Sequence, residues 1–530
     1  MTKNNLVLAL CSGLLLAAGW PVYGIPLLLF TAFVPLLLAE KNIRMSGKPR
    51  KGQKVFGHAY LTFLVWNSIT TWWIWYSTPF GMTFAIVVNS LLMTLVFWMY
   101  HLVARKLPPK IHLVFLPALW MAFEKFHLNW DFSWPWLNLG NGFSEYPAWI
   151  QWYEYTGTFG GSLWIWIVNI GIFLTVGGYL QSRDKKRLTR GIAGNVLVIA
   201  IPVIISLFLY SSYKEPENKA EVVLLQPNVD PYSEKYELRN KTTATNMVRM
   251  AEAVVDENTD YLIAPETTLS EGVSIDGFGR SQGKMILQQF AVKHPRLQII
   301  TGADFYRRYT GPEHPTPTAN KIRGGGWYDA YNAAVQINKT DSLQFYIKSK
   351  LVVGVEHFPF RSILEPVLGN IMIDLGGSIS SRAVQDERSV FTSESGEAAP
   401  VICYESIYGE FVTGYIHKGA DFLAIITNDG WWSNSQGHKQ HLSYARLRAI
   451  ETRRSVARSA NTGISAFINP RGDILQTLAY DTRGTLRGEI AMNEKLTFYV
   501  KYGDYIARLG VMIAGLILLF ALGKKKPQAL

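Results

Sequence analysis

The sequence predicts a membrane-embedded bundle of about eight helices that carries a large α/β layered domain outside the bilayer. Three observations lead there. Apolar runs recur from residue 6 to residue 210 and once more at 505–522, several of them near the roughly 20 residues a crossing needs. Residues 211–503 instead alternate short β-rich runs with amphipathic stretches, the pattern of a layered sheet-and-helix domain. The basic residues gather in alternate connections between the apolar runs, as in a polytopic membrane protein.

The helix candidates are 6–20, 24–38, 58–76, 82–103, 111–123, 161–180, 191–210 and 505–522. The first is not followed by a small-residue cleavage site and a polar start, so it is expected to be a retained helix rather than a cleaved signal. The segment 111–123 is short enough to be re-entrant. Basic residues number six in 41–54, three in 105–110, five in 183–190 against Asp184, and three in 524–526, a surplus larger than the whole chain's +12. The connections at 21–23, 77–81 and 127–160 have no Lys or Arg. The basic connections are therefore expected in the cytoplasm and the insert outside. A +12 chain would otherwise suggest a nucleic-acid partner; its placement in short loops excludes one.

The connection 130–152 holds five Trp and is expected as an aromatic shelf along the bilayer surface. In the insert, strands are expected at 220–225, 261–264, 297–301, 330–337, 400–403, 422–427 and 464–468, and helices at 241–256 and 438–454. The chain is thus expected to divide into a transmembrane domain (1–213), an α/β domain outside the membrane (214–503), and a last helix with a basic tail (504–530).

Three places carry chemistry. Residues 399–410 (A-P-V-I-C-Y-E-S-I-Y-G-E) run an apolar strand into Cys403, a thiol at a sheet edge. The other cysteine, Cys11, lies in the first apolar run, so a disulfide is not expected and Cys403 is a candidate reactive thiol. Residues 261–266 (Y-L-I-A-P-E) end a strand in Glu266, a carboxylate beside apolar residues and a candidate general base. Residues 345–360 (F-Y-I-K-S-K-L-V-V-G-V-E-H-F-P-F) place Lys348 after aromatic residues, suited to an oxyanion or to a thiolate, and Glu356 beyond it.

Pro-Glu, Tyr-x-Lys and Ile-Cys-Tyr-Glu, in that order and each at the end of an apolar run, resemble the nitrilase superfamily over about 220–490. That resemblance implies an α-β-β-α sandwich and a Glu266–Lys348–Cys403 triad. With the helices, and with S-W-P-W-L-N-L-G (133–140), Y-N-A-A (331–334), N-D-G-W (428–431), Q-H-L-S-Y-A-R-L-R (440–448) and N-T-G-I (461–464), the chain is similar to the apolipoprotein N-acyltransferase family. The resemblance implies a multi-pass enzyme of the bacterial inner membrane with its catalytic domain on the periplasmic side. It would take an acyl chain from a phospholipid onto Cys403 and pass it to the amine of a diacylglyceryl-cysteine lipoprotein, acting as a monomer without cofactor or metal. Tyr404, through its backbone N–H, Glu405, Glu356 and Asn332 would support the triad. The chain departs from the family at V-V-G-V-E (352–356), at Arg453 and at Tyr236, where a lid tryptophan is common.

Residues 363–376 are apolar for a loop and are expected either to dip into the outer leaflet or to pack as a helix on the sandwich. His438 and His441 have ligand-like types but no third ligand near them in the sequence, so both are expected on a helix surface. Gly324–Gly326 lacks the Lys and Ser/Thr of a phosphate loop, and no Gly-x-Ser-x-Gly elbow is present. Two rival readings are an anchored small-amide amidase and a transporter or lipid-binding protein with an inactive sandwich; few ionisable residues are expected inside the helices, which weighs against transport.

Overall fold

The computed structural model describes residues 2–235, 237–311, 315–322, 324–357, 359–360 and 381–524. Tyr236, the 363–376 segment and the end of the basic tail lie outside them. The chain forms two compact units: one of residues 1–75, 81–212 and 502–530, the other of 76–80 and 213–501.

The first unit is helical. Its helices are α1 (Thr2–Ala18), α2 (Val34–Met45), α3 (Lys51–Thr71), α4 (Pro79–Ala104), α5 (Pro109–His127), α6 (Tyr153–Ser182) and α7 (Lys185–Ser212), with Tyr505–Gly523 closing the set. Among the described residues five helical stretches are long and apolar enough to cross a membrane: Pro26–Met45, Pro79–Ala104, Tyr153–Ser182, Lys185–Ser212 and Tyr505–Gly523. The closing helix packs on α5 through a stripe of small residues, Ala507, Gly510, Ala514 and Ala521. A Cβ on Gly510 would stand 3.1 Å from that of Met121, so the helices approach closely, as helix pairs in lipid do.

Three expectations are corrected here. The run 24–38 is not one helix: a 3-10 turn, Pro26–Phe30, gives way to α2. The break is stable because Asn169 of α6 donates to Leu29 O and accepts from Phe33 N, both at 2.8 Å, which satisfies backbone groups that an apolar setting cannot leave open. The loop 130–152 is not wholly a surface shelf, although Trp130, Trp134, Trp149 and Trp152 stay half-buried. Its centre folds inward, with Trp136, Leu137, Leu139 and Phe143 buried, and Glu124 of α5 accepts Leu139 N at 2.7 Å. Gly140 is needed there, since a Cβ would come within 1.9 Å of Thr158 O. The helices also hold ionisable groups, because α2 and α5 run further than the apolar pattern shows. Glu40 pairs with Arg44 at 2.9 Å and with His101 at 2.7 Å; Glu124 also accepts from Ser162 and Trp120. Each buried acid thus has hydrogen-bond partners.

The second unit is a two-sheet sandwich. Its strands are β1 (Lys219–Gln226), β2 (Tyr261–Ile263), β3 (Leu269–Ser274), β4 (Gln298–Tyr309), β5 (Asn320–Lys321), β6 (Trp327–Ile337), β7 (Gln344–Ile347), β8 (Phe391–Ser393), β9 (Gly396–Ile402), β10 (Phe422–Thr427), β11 (Ser455–Ala460), β12 (Ser465–Ile468), β13 (Ile474–Leu478) and β14 (Gly484–Ala491). One sheet runs β14-β1-β2-β4-β6-β5, with β3 on β4 and β7 on β6; the other runs β13-β12-β11-β10-β9-β8. Alternation assigns the faces. In β1, Val222 and Leu224 enter the core shared with Val401, Ala424, Ile426 and Val456 of the second sheet. Val223 and Leu225 face outward onto α8 (Asn240–Ala251) and α9 (Gln282–Lys293), meeting Ala244, Met247, Leu287 and Phe290. Helices α10 (Gly409–His417) and α11 (Gln436–Thr452) cover the second sheet through Val412, Ile416, Leu442 and Ala449. The expected strands are all present. Strands β3, β5, β7, β8, β11, β13 and β14 have no counterpart among those expectations: β11 (S-V-A-R-S-A) carries a buried arginine, and β13 and β14 are largely unburied strands at the edges of the two different sheets.

Candidate active site

The parallel strands β9 and β10 pair in register from Ala398–Phe422 to Ile402–Ile426, and the chain turns immediately afterwards. Cys403 begins the 3-10 turn Cys403–Ile407 with φ of +48°, a left-handed conformation that costs a non-glycine residue of order 1 kcal/mol or more and is typically kept at functional sites. The thiol is 6% exposed. Burial pushes it well above the usual thiol range and the Glu266 charge pushes it further, while Lys348 and a bond from Thr427 act the other way. The resting group is therefore the protonated thiol, and ionising it requires a base.

Glu266 lies three residues beyond β2. Its loop is pinned to β4, where Gly302 N donates to Pro265 O at 3.0 Å. The approach is so close that a Cβ on Gly302 would stand 2.2 Å from Thr267 N. Lys348 lies just past β7, and its N–H donates to Asn332 O at 2.8 Å. Its ammonium is 2.8 Å from both Glu266 Oε1 and Glu356 Oε2. Asn332, in β6, donates through Nδ2 to Glu266 Oε1 and to Glu356 Oε1, both at 2.8 Å. One amide thus fixes the spacing of two carboxylates around one cation.

Burial opposes the charge on Lys348, yet the two carboxylates hold its pKa above the ordinary lysine value. Burial likewise works against Glu356, but Lys348 and then Arg382 bring it down to about 2. The structure therefore brings Glu266, Lys348, Glu356 and Asn332 into one bonded network within charge range of Cys403.

Glu405 serves a different contact. It is fully buried and accepts from Tyr346 OH and Ser349 N, both at 2.6 Å, and from Ile402 N at 2.8 Å. Burial raises its pKa against those bonds. It ties the residues on either side of Lys348 to the strand that ends at Cys403. Tyr404, next in the turn, has its ring against Tyr408, 5.4 Å between centroids.

Two groups at this site were not foreseen. Lys235 is buried and bonds to Thr267 Oγ1; burial lowers its pKa. It lines, with Glu266, Leu238, Met247 and Met250, a cavity of about 50 Å³. Behind the thiol, His441 and Asp429 are both buried, which corrects the expected surface position of His438 and His441. His441 packs α11 onto the turn that begins at Cys403, with Nε2 3.0 Å from Ser406 Oγ and 3.2 Å from Cys403 O. His438 is lowered by burial to about 4. Burial would raise Asp429, but Arg458 and His441 hold it well below the carboxylate range. Ligand atoms of Cys403, Asp429 and His441 all lie within 4.8 Å of one another. The set does not suit a metal ion, because Arg458 lies 2.6 Å from Asp429 Oδ2 and 3.1 Å from His441 Nδ1 and already supplies the positive charge. The motifs N-D-G-W and Q-H-L-S-Y-A-R-L-R contained the signal, but only the fold joins them.

The second unit is thus a two-sheet sandwich that holds a buried thiol and a carboxylate–lysine–carboxylate network. Residues 217–495 match the model for Carbon-nitrogen hydrolase, more than half of the chain, and the chain belongs to that family. Residues 12–171 match the Apolipoprotein N-acyltransferase N-terminal domain. Similar proteins include apolipoprotein N-acyltransferases of Chlorobaculum tepidum (28% identical, over 98% of this chain and 97% of that one) and of Geobacter metallireducens (25%, over 99% and 96%). A carbon-nitrogen hydrolase structure from Helicobacter pylori G27 is 14% identical over 55% of this chain and 93% of that one, with a TM-score of 0.37.

Proposed function

We propose that this chain is an N-acyltransferase of lipoprotein maturation, moving a fatty acyl group from a phospholipid to the N-terminal amine of a diacylglyceryl-cysteine lipoprotein. The observation that carries the reading is the Glu266–Lys348–Glu356 network, pinned by Asn332 beside a buried thiol on a strained turn. Two full-length relatives of that name support the substrate class.

The reaction is ping-pong. Both Asn332 and Lys348 hold Glu266 at Oε1, so Oε2 is the atom offered to the thiol proton. The thiolate attacks the ester carbonyl, and the oxyanion is held by the third N–H of Lys348 and the N–H of Tyr404. The ester C–O bond breaks, Glu266 returns the proton to the leaving alkoxide, and lysophospholipid departs from the Cys403 thioester. Glu266 then takes a proton from the incoming α-amine. The C–N bond forms, the C–S bond breaks, and the thiol is restored. Glu356 keeps Lys348 charged, and Glu405 holds the lysine segment in place.

Charge placement along the chain supports a transmembrane domain of residues 1–213, a catalytic domain of 214–503 on the extracytoplasmic side of a bacterial inner membrane, and a last helix and tail, 504–530. The enzyme acts as a monomer on two lipid substrates. Intact-mass analysis of protein incubated with phospholipid tests the proposal. One acyl mass on Cys403, absent from Cys403→Ala and discharged by a diacylated lipopeptide as an amide, is expected. An acyl group on a different residue, or discharge to water alone, would reject it.

A further inference from the structure

The N–H of Tyr404 is proposed above as an oxyanion donor, and a donor is useful only if something fixes the plane of its peptide. A trans peptide points its C=O and N–H in opposite directions. The carbonyl paired with the Tyr404 N–H belongs to Cys403. It accepts from Ser406 Oγ at 2.8 Å and lies 3.2 Å from His441 Nε2, which is also 3.0 Å from Ser406 Oγ. A carbonyl only accepts, so Nε2 carries a proton.

The ring is itself held. His441 Nδ1 lies 3.0 Å from Asp429 Oδ1, which also accepts Thr427 Oγ1 at 2.8 Å, and Asp429 Oδ2 accepts Arg458 at 2.6 Å. Gly463 leaves room for this carboxylate: a Cβ there would stand 2.5 Å from Asp429 Oδ2. His441, Asp429 and Arg458 are all fully buried. Buried ionic groups give little net stability compared with apolar residues of the same volume, so the cluster calls for an explanation beyond packing. Its bonds end on the carbonyl of the proposed nucleophile.

We infer that His441 is a positioning residue for the oxyanion donor: by holding the Cys403 carbonyl it aims the opposite end of that peptide, the Tyr404 N–H, at the reacting acyl carbonyl. Asp429 and Arg458 orient the imidazole. Hydrogen bonding at the C=O end also polarises the amide, which makes its N–H a stronger donor. The inference rests on Cys403 being the nucleophile.

The test separates oxyanion formation from thiol ionisation. Full-length enzyme in mixed micelles is assayed twice: for the rate at which phospholipid acylates Cys403, and for the rate at which iodoacetamide alkylates it. Alkylation needs the thiolate but develops no oxyanion. His441→Met, of similar size but with no donor, is expected to slow acylation roughly 10- to 100-fold, toward the loss seen on deleting one oxyanion donor, with alkylation within about twofold. His441→Gln, which keeps an N–H donor, is expected to recover most of the acylation rate. Ser406→Ala provides a second, milder case with the same split if His441→Met does not fold. Acylation and alkylation slowing together, unchanged acylation, or a glutamine variant as slow as the methionine one overturns the inference. If wild-type protein carries its acyl group elsewhere than on Cys403, the parent reading fails as well; a wild-type Cys403 acyl-enzyme with unaltered rates in both variants removes only the role of His441.

Discussion

Glu405 accepts the backbone N–H of Ser349 at 2.6 Å, so the turn that carries Cys403 and the segment that carries Lys348 are bolted together by one buried carboxylate. Replacing Glu405 with Ala strands the donors of Tyr346, Ser349 and Ile402. The expected loss is about 3 kcal/mol or more, read as a lower midpoint in thermal unfolding of the detergent-solubilised protein. A midpoint equal to wild type would show that the three donors find other partners.

Asn332 sets the distance between two carboxylates. Asn332→Ala is expected to fold but to acylate Cys403 about 10²-fold more slowly, the scale of a misplacement near 1 Å. Asn332→Asp is expected to be slower still, because it faces Glu266 and Glu356 with a third negative charge. Single-turnover acylation with labelled phospholipid measures both.

Glu356 gives a pH signature. Its folded pKa of about 2 lies below the ordinary 4.5, so its stabilising contribution is present above about pH 4.5 and is lost as pH falls toward 2. The stability gap between wild type and Glu356→Gln should therefore narrow across that window. Acid titrations of unfolding for the two proteins check it; a gap independent of pH would mean the carboxylate is not held down in the folded state.

Gly302→Ala puts a methyl 2.2 Å from Thr267 N and 2.6 Å from Glu266 Cα. Both are backbone atoms with no rotamer to escape into. Glu266, the proposed base, is expected to be displaced and acylation to fall at least tenfold, while iodoacetamide still reaches a folded Cys403. Full activity in this variant would place the base elsewhere.

In the helical unit, Asn169→Leu removes the acceptor for Phe33 N and the donor to Leu29 O. The cost is expected at about 2 kcal/mol, seen as earlier thermal aggregation of solubilised protein. Asn169→Gln, too long by one methylene, should recover only part of it.

Local patterns showed a good deal of this. Strands at 220–225, 261–264 and 422–427 are legible because uninterrupted apolar runs bounded by turn residues leave few alternatives. Glu266, Lys348 and Cys403 stand out because each ends such a run. What the pattern could not show depends on distant partners. The break before α2 looks like continuous helix until Asn169, on another helix, accounts for its open backbone groups. Glu40 and Glu124 sit just past the apolar windows, so they were placed outside the helices that contain them. His441 reads as a surface residue from its own helix, since the aspartate and arginine that surround it come from 429 and 458. The inward fold of 130–152 is equally invisible, because tryptophans suit an interface and a core alike.

The backbone at Cys403 has a consequence for how this chain can evolve. A left-handed residue that is not glycine raises the energy of the native state, so Cys403→Gly should give a catalytically dead chain that melts later than the working enzyme. A library sorted for heat resistance alone would then enrich glycine at 403. On the proposed mechanism, the thiol persists only where cells are also selected for the product it makes.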